Sequence, residues 1–356
     1  MQRRAPQLDG IRGIAILLVI LHNERAESPS LGLSRLLAHG WMGVDLFFVV
    51  SGLLITGILI DTMRGQHPLR NFYARRCLRT WPLYYAVLVF MFVVVPFLRP
   101  QDAQTIFERS SPWWAYPPFL QNFLVSSPTM APGPLAVTWS LAVEEQFYLV
   151  WPWVVRYCTR LQLSALAIAV LCLSPMLRLF LSYHGVDLYT NVFCRLDGLM
   201  AGALLALAFR RDGFQPGKFV KRAWLCLLLT VPLALAAEAL GTQWAVFSLT
   251  ALASASLVYL ALFSSGRGLQ RLVTSRFLVY TGTISYGLYL LHKIPFDVAR
   301  AVKGDRSSIL TLLVACVGCY VAAIVSWNVL EKPMLKLKRW FDPGAKNSEL
   351  ASVRSL

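Results

Sequence analysis

Gly43 to Ile60 reads GVDLFFVVSGLLITGILI, eighteen residues with a single charge, Asp45, near the start. About twenty predominantly apolar residues of helix cross the ~30 Å hydrocarbon core of a bilayer, so this stretch, extended to 41–61, is expected to span a membrane. Comparable stretches lie near 11–24, 81–98, 139–158, 163–182, 190–209, 223–240, 244–264, 277–296 and 309–330. The bulk composition agrees with them. Of 356 residues, 56% are hydrophobic and 15% charged, and the mean hydropathy is +0.55, more apolar than an ordinary soluble domain. The expectation is an all-α integral membrane protein with about ten transmembrane helices.

Arg3 and Arg4 precede a short apolar core, as in a signal peptide, but Arg12 interrupts that core and His22 and Glu24 close it. No small-x-small cleavage site follows before Pro29, so an uncleaved first span is expected. The seven cysteines fall within or beside spans and suggest no extracellular disulfide framework. Cys316 and Cys319 form a CxxC among Val, Ala and Gly in mid-span, which reads as small packing residues.

The net charge of +16 becomes informative once distributed over the loops. With the N-terminus inside, inner segments hold twenty-three Lys and Arg residues and outer loops seven. The positive-inside rule then puts both ends in the cytoplasm, which an even number of spans requires. No internal repeat or separate soluble domain is visible. The longest non-membrane piece, 99–138, carries SPWWAYPPFLQNF, where Trp113, Trp114 and Tyr116 suit either an interfacial aromatic belt or sugar stacking.

A charge near mid-membrane costs at least about 2.5–3.5 kcal/mol, so each needs a partner or a role. The expected topology delivers Asp45, Glu144, Glu145, Arg195, Asp197, His22 and His292 to one layer in the outer half, and Asp9, Arg12, Arg75, Arg76 and Arg79 to the inner half. Asp197 with Arg195, or Asp45 with either arginine, could form a salt bridge that only fixes packing. Glu144 and Glu145 are adjacent and point about 100° apart on a helix, so they face different partners. Arg76 and Arg79, at i and i+3, share a face suited to phosphate oxygens, though with Arg75 they also read as inner-side anchors.

The chemistry suggested is acyl transfer. Histidine takes a proton from a hydroxyl near neutral pH, and a carboxylate would orient it. Inner arginines suit a phosphorylated donor, so the reaction would run across the membrane. No GxSxG, HExxH, Walker loop or Rossmann fingerprint is present, and no metal or nucleic acid is expected.

Seven blocks in order, LDGIRGIAILLVILH, GVDLFFVVSG, FYARRCLRTWPLYY, TWSLAVEEQFYLVWPW, RLDGLMAGALLA, ISYGLYLLHKIP and VLEKPMLKL, resemble membrane-bound acyltransferase family 3, the bacterial O-acyltransferases of surface glycans, macrolides and nodulation factors. The resemblance covers nearly the whole chain. It implies a membrane domain over 1–340, with 341–356 a short cytoplasmic tail expected to be disordered. It also implies transfer of an acyl group, most often acetyl, from cytoplasmic acyl-CoA to a hydroxyl of a glycan or lipid-linked saccharide outside a bacterial inner membrane. By the same resemblance His22 is the essential first-helix histidine and Arg12 its paired arginine. Arg76 and Arg79, with Arg75, are the CoA-binding arginines, Glu144 and Glu145 the acidic pair, and Asp45 the second-helix aspartate. Arg195, Asp197, His292 and Trp139 are the candidate acceptor contacts. A transporter or flippase that uses the same charges as a substrate or proton path is the rival reading.

One departure stands out. The family commonly leaves ten residues between this arginine and histidine, whereas here nine intervene, which on an ideal helix turns His22 about 80° from Arg12. Either the helix carries a local irregularity such as a π-bulge, or the long Arg12 side chain absorbs the difference, or the pairing is impaired.

Overall fold

A computed structural model describes residues 5–23, 38–124, 133–303 and 309–341, and all regular structure among them is helical. The main helices are α1 (Pro6–Asn23), α2 (Gly43–Thr62), α3 (Pro68–Val89), α4 (Thr138–Tyr157), α5 (Arg160–Tyr183), α6 (Val192–Phe209), α7 (Pro216–Ala239) and α8 (Gln243–Phe263). They are followed by α9 (Arg276–Thr283), α10 (Ser285–Leu291), α11 (Lys293–Lys303) and α12 (Ile309–Ser326). A π-helical turn at Phe90–Val94 carries α3 on to Leu98. A second, at Trp327–Glu331, carries α12 on to Lys336 and a 3-10 turn at Leu337–Phe341.

Among the described residues, seven helices are long and apolar enough to cross a membrane: His39–Thr62, Pro68–Leu98, Arg160–Tyr183, Val192–Phe209, Pro216–Ala239, Gln243–Phe263 and Leu310–Phe341. This falls short of the expected ten, and the shortfall has a physical origin. Each of the other three expected stretches is helical too, but α1 carries Asp9, Arg12 and His22, and α4 carries Glu144, Glu145 and Gln146. The stretch 277–296 is interrupted at Ile284 and His292 into the short helices α9, α10 and α11. In α1 and α4 these polar residues lower the apolarity, and in 277–296 the breaks leave no single helix long enough. The expected tail, apart from Phe341, lies outside the described residues.

Close backbone approach organises the centre. A Cβ on Gly52 of α2 would lie 2.0 Å from the Leu199 carbonyl oxygen, and one on Gly202 of α6 2.1 Å from that of Val49. Without a hydrophobic drive between helices in lipid, small residues that let backbones touch are what hold such a pair. Phe48, Val143, Trp151 and Leu199 bury their side chains beside this contact. The outward faces stay apolar: Leu225, Leu228 and Leu229 of α7 are more than half exposed, a surface suited to lipid tails.

The same device seats α1. A Cβ on Gly10 would lie 1.7 Å from the Val273 carbonyl oxygen, and one on Gly282 of α9 1.7 Å from that of Asp9. Neither obstacle is a flexible side chain, so Gly282→Ala must push α1 and α9 apart. A loss of about 1–3 kcal/mol, the usual cost of overpacking, is expected. Thermal unfolding of the detergent-solubilised variant checks it, and an unchanged midpoint would refute the contact.

Candidate active site

The helix α1 is α-helical without interruption from Pro6 to Asn23, which removes the π-bulge reading of its Arg12–His22 spacing. The two residues differ in surroundings as well as in facing. Arg12 lies in the field of Asp9, Glu144, Arg79 and Tyr148. His22, about 15 Å further along at about 1.5 Å per residue, packs beside the 3-10 turn His39–Met42, where a Cβ on Gly40 would stand 2.8 Å from the His22 Cβ.

Arg12 opens on a cavity of about 290 Å³ between α1, α2, α3, α4 and α10. Its α2 wall is mainly one stripe, Val44, Phe47, Phe48, Ser51, Leu54, Ile55, Ile58 and Thr62, with Val50 at its edge; the stripe recurs at three- and four-residue steps as one helix face must. From Val44 to Thr62 that stripe runs about 27 Å, so the cavity is a long, narrow cleft. Arg75, Arg76 and Arg79 line it from α3, and Arg12 from α1. Ser140 and Tyr289 line it too, and share a 2.5 Å hydrogen bond.

Glu144 is the carboxylate in the cleft wall. It accepts hydrogen bonds from the Ser51 hydroxyl at 2.7 Å and the Tyr148 hydroxyl at 2.8 Å, with Arg12 and Arg76 in electrostatic reach. The Arg76 guanidinium lies 5.6 Å from the Tyr148 ring centre and 5.8 Å from that of Phe72, a cation–π sandwich that holds it without a carboxylate. None of the ion pairs among the described residues involves Arg76 or Arg79. Guanidinium groups lining a cleft without salt-bridge partners suit an anionic ligand.

Residues 6–329 match the family described as "Acyltransferase domain". The chain belongs to this acyltransferase family. It is 27% identical over 364 residues to the peptidoglycan O-acetyltransferase OatA of Listeria monocytogenes, covering 94% of this chain and 56% of that one. It is 33% identical over 220 residues to the O-acetyltransferase OatA of Staphylococcus aureus, covering 57% of this chain and 34% of that one. The acyltransferase chain thus spans about half the length, or less, of these curated relatives. No solved structure matches it.

The other charges that the sequence places with Glu144 belong to separate networks. Asp45 pairs with Arg195 at 3.0 Å and Asp197 with Arg178 at 2.9 Å, and all four side chains are at most 1% exposed. Of the two alternatives for Asp45 and Asp197, the structure thus realises Asp45 with Arg195, and it gives Asp197 a partner from α5. The Arg195 guanidinium is ringed by Phe48, Trp139, Tyr189 and, at 4.1 Å, Phe247. Trp139 therefore packs on Arg195, and none of Asp45, Arg195, Asp197 and Trp139 lines the cleft.

Glu145 points away from the cleft, accepting from the Thr80 hydroxyl at 2.7 Å and the Trp81 indole at 3.3 Å. Both acidic residues thus have partners of their own, which differs from an arrangement in which one orients His22. His292 sits at the break between α10 and α11, fully buried, its Nδ1 2.8 Å from the Tyr289 carbonyl oxygen and its Nε2 without a hydrogen-bond partner. In the loop after α3, Trp113 and Trp114 are exposed, whereas Tyr116 is buried against Phe92 and does not reach the surface. Among the described residues, no group of three His, Cys, Asp or Glu side chains could hold a metal ion.

Two polar residues of the C-terminal segment escaped the sequence reading. Glu331, in the second π-helical turn, is buried, accepts from Ser326 Oγ at 3.0 Å and faces the field of Arg79 and Arg12. Lys338 lines the cleft. The block VLEKPMLKL contains Glu331 and ends at Leu337, one residue before Lys338; a glutamate in so apolar a run was the available signal for the first of them.

Proposed function

We propose that this chain is a membrane-embedded O-acyltransferase that moves an acyl group, most simply acetyl, from cytoplasmic acyl-CoA to a hydroxyl of a glycan on the outer side of a bacterial cytoplasmic membrane. The observation that carries the reading is the cleft: about 27 Å long and lined by Arg12, Arg75, Arg76 and Arg79, with His22 further along the helix that carries Arg12. Coenzyme A has the matching shape, with phosphates at one end, a thioester at the other and a flexible arm between. Arg76 and Arg79, with Arg75, hold the phosphates. The arm runs along the α2 stripe past Glu144 and Ser51, and the thioester emerges near Val44, about a helical turn from His22.

There His22 takes the proton of the acceptor hydroxyl as its oxygen attacks the thioester carbonyl; the C–S bond breaks and the thiolate of CoA takes up a proton. Arg12 and Glu144 line the cleft within each other's electrostatic field and set the charge of its wall. On this reading α1, α4 and the broken α9–α11 stretch cross the membrane along with the seven apolar helices, which gives ten crossings and puts both chain ends in the cytoplasm. Their polar side chains face the cleft or packed protein rather than lipid, as intramembrane charges must. The acceptor named for the relative from Listeria monocytogenes is peptidoglycan, and a peptidoglycan glycan strand is the acceptor proposed here.

The test is binding of CoA to the purified protein in detergent. Arg76→Gln with Arg79→Gln should weaken it at least about a hundredfold, since each charge-assisted contact is worth about 1.5–3 kcal/mol. If the wild-type protein binds no CoA, the donor assignment falls. If it moves a glycan or proton across vesicles without acylating anything, the transporter reading takes its place.

A further inference from the structure

A further cation lines the same cleft. Lys338 stands in the 3-10 turn Leu337–Phe341, about 260 residues downstream of Arg79, yet it lines the cleft together with Arg75, Arg76 and Arg79. Those three guanidinium groups are its electrostatic neighbours, while nearby carboxylates, Glu144 and Glu331 among them, act on Arg76 and Arg79. No ion pair among the described residues involves Lys338. Like charges brought together at a part-buried site repel more strongly than in water, and packing of the C-terminal segment on α3 holds them there. A ligand carrying several negative charges would relieve that repulsion. A second, independent feature marks the cleft as built for a polar ligand: Ser285, also lining it, is fully buried and its hydroxyl has no hydrogen-bond partner.

We propose that Lys338 binds the phosphates of the donor, so that the C-terminal segment supplies part of the donor site and selects a polyphosphorylated carrier over a donor with one phosphate or none. This rests on the donor reading above and adds to it a residue that the RxxR pattern does not contain. Arg76 and Arg79 share one helix and grip from one side. Lys338 approaches from a different element and closes the grip on a ligand that carries both a diphosphate and a 3′-phosphate. A lysine is suited to that task because its ammonium serves as a compact point charge without a fixed fork geometry.

The experiment uses the full chain in detergent and CoA as the probe. Lys338→Gln should weaken CoA binding about tenfold and Lys338→Arg should restore most of it. The difference between CoA and dephospho-CoA should narrow in Lys338→Gln, a change that a merely structural loss would not produce. In the wild-type protein, saturating CoA should protect Lys338 from reductive methylation, read by peptide mass spectrometry; this arm decides the matter if the variant does not fold. Full CoA affinity in Lys338→Gln, or labelling of Lys338 unaffected by CoA, overturns the proposal. If Arg76→Gln with Arg79→Gln loses binding in the same series, the donor reading survives that result. Wild-type protein that binds no CoA overturns both.

Discussion

Replacing His22 by alanine is expected to lower acyl transfer about 10²–10⁴-fold, the usual worth of a positioned general base, while CoA binding stays at the wild-type level. The separation follows from distance. His22 is about 15 Å from Arg12 along α1, beside Gly40 and outside the cleft lining, whereas Arg75, Arg76 and Arg79 line the cleft from α3. Removing the imidazole therefore leaves the phosphate grip untouched and removes the group that deprotonates the acceptor. Because α1 is an unbroken α-helix, the face on which the histidine stands is fixed. Moving it one position, in His22→Ala with Asn23→His, turns it about 100° and should not restore transfer, even though it aligns the histidine with Arg12. Restoration by that double variant would mean that alignment with Arg12, rather than proximity to the 3-10 turn, is what catalysis needs. Wild-type turnover in His22→Ala would remove the histidine from the mechanism altogether. Both variants are scored by acyl transfer to a soluble glycan fragment after CoA binding has established that the protein is folded.

How much of this was legible beforehand differed by the kind of signal. Long apolar runs are written in composition, and each expected stretch is helical; where α9–α11 breaks, the cause is local, at Ile284 and at His292 with Pro295 soon after it. The helical spacing of Arg76 and Arg79 placed both in the cleft wall because a single helix fixes their relation. Glu144 and Glu145 could be known to diverge, since adjacent residues on a helix must, yet only the neighbours decide which one faces the cleft: Ser51 and Tyr148 receive Glu144, Thr80 and Trp81 receive Glu145. Partners were the weakest inference. Equal distance from a span's end does not make equal surroundings, and Asp45 and Glu144 belong to different networks. Lys338 was hidden for another reason. A lysine in a basic tail looks like an inner-side anchor until the fold brings that tail back over α3.

The buried pairs call for a different experiment, because their expected effect is on stability rather than chemistry. Arg195→Met alone leaves Asp45 at 1% exposure without its cation, and breaking one side of a buried ion pair costs about 3–5 kcal/mol. The variant should lose most of its thermal stability in detergent, and its activity with it. Adding Asp45→Leu should recover both, since an apolar pair of similar size often matches or exceeds a buried salt bridge. The site is well prepared for that exchange. Arg195 uses one of its nitrogens on Asp45 and leaves Nε and Nη1 without partners, its guanidinium held mainly by four aromatic rings. A methionine sulfur makes favourable contacts with such rings. Thermal midpoint and acyl transfer, measured on the same preparations, separate the two roles these charges could have. Recovery of both makes Asp45 and Arg195 the clamp that fixes α2 against α6 and so keeps the cleft's main wall in place. Recovery of stability without activity would instead require that one of them touch the acceptor, in a conformation where the Phe247 face opens.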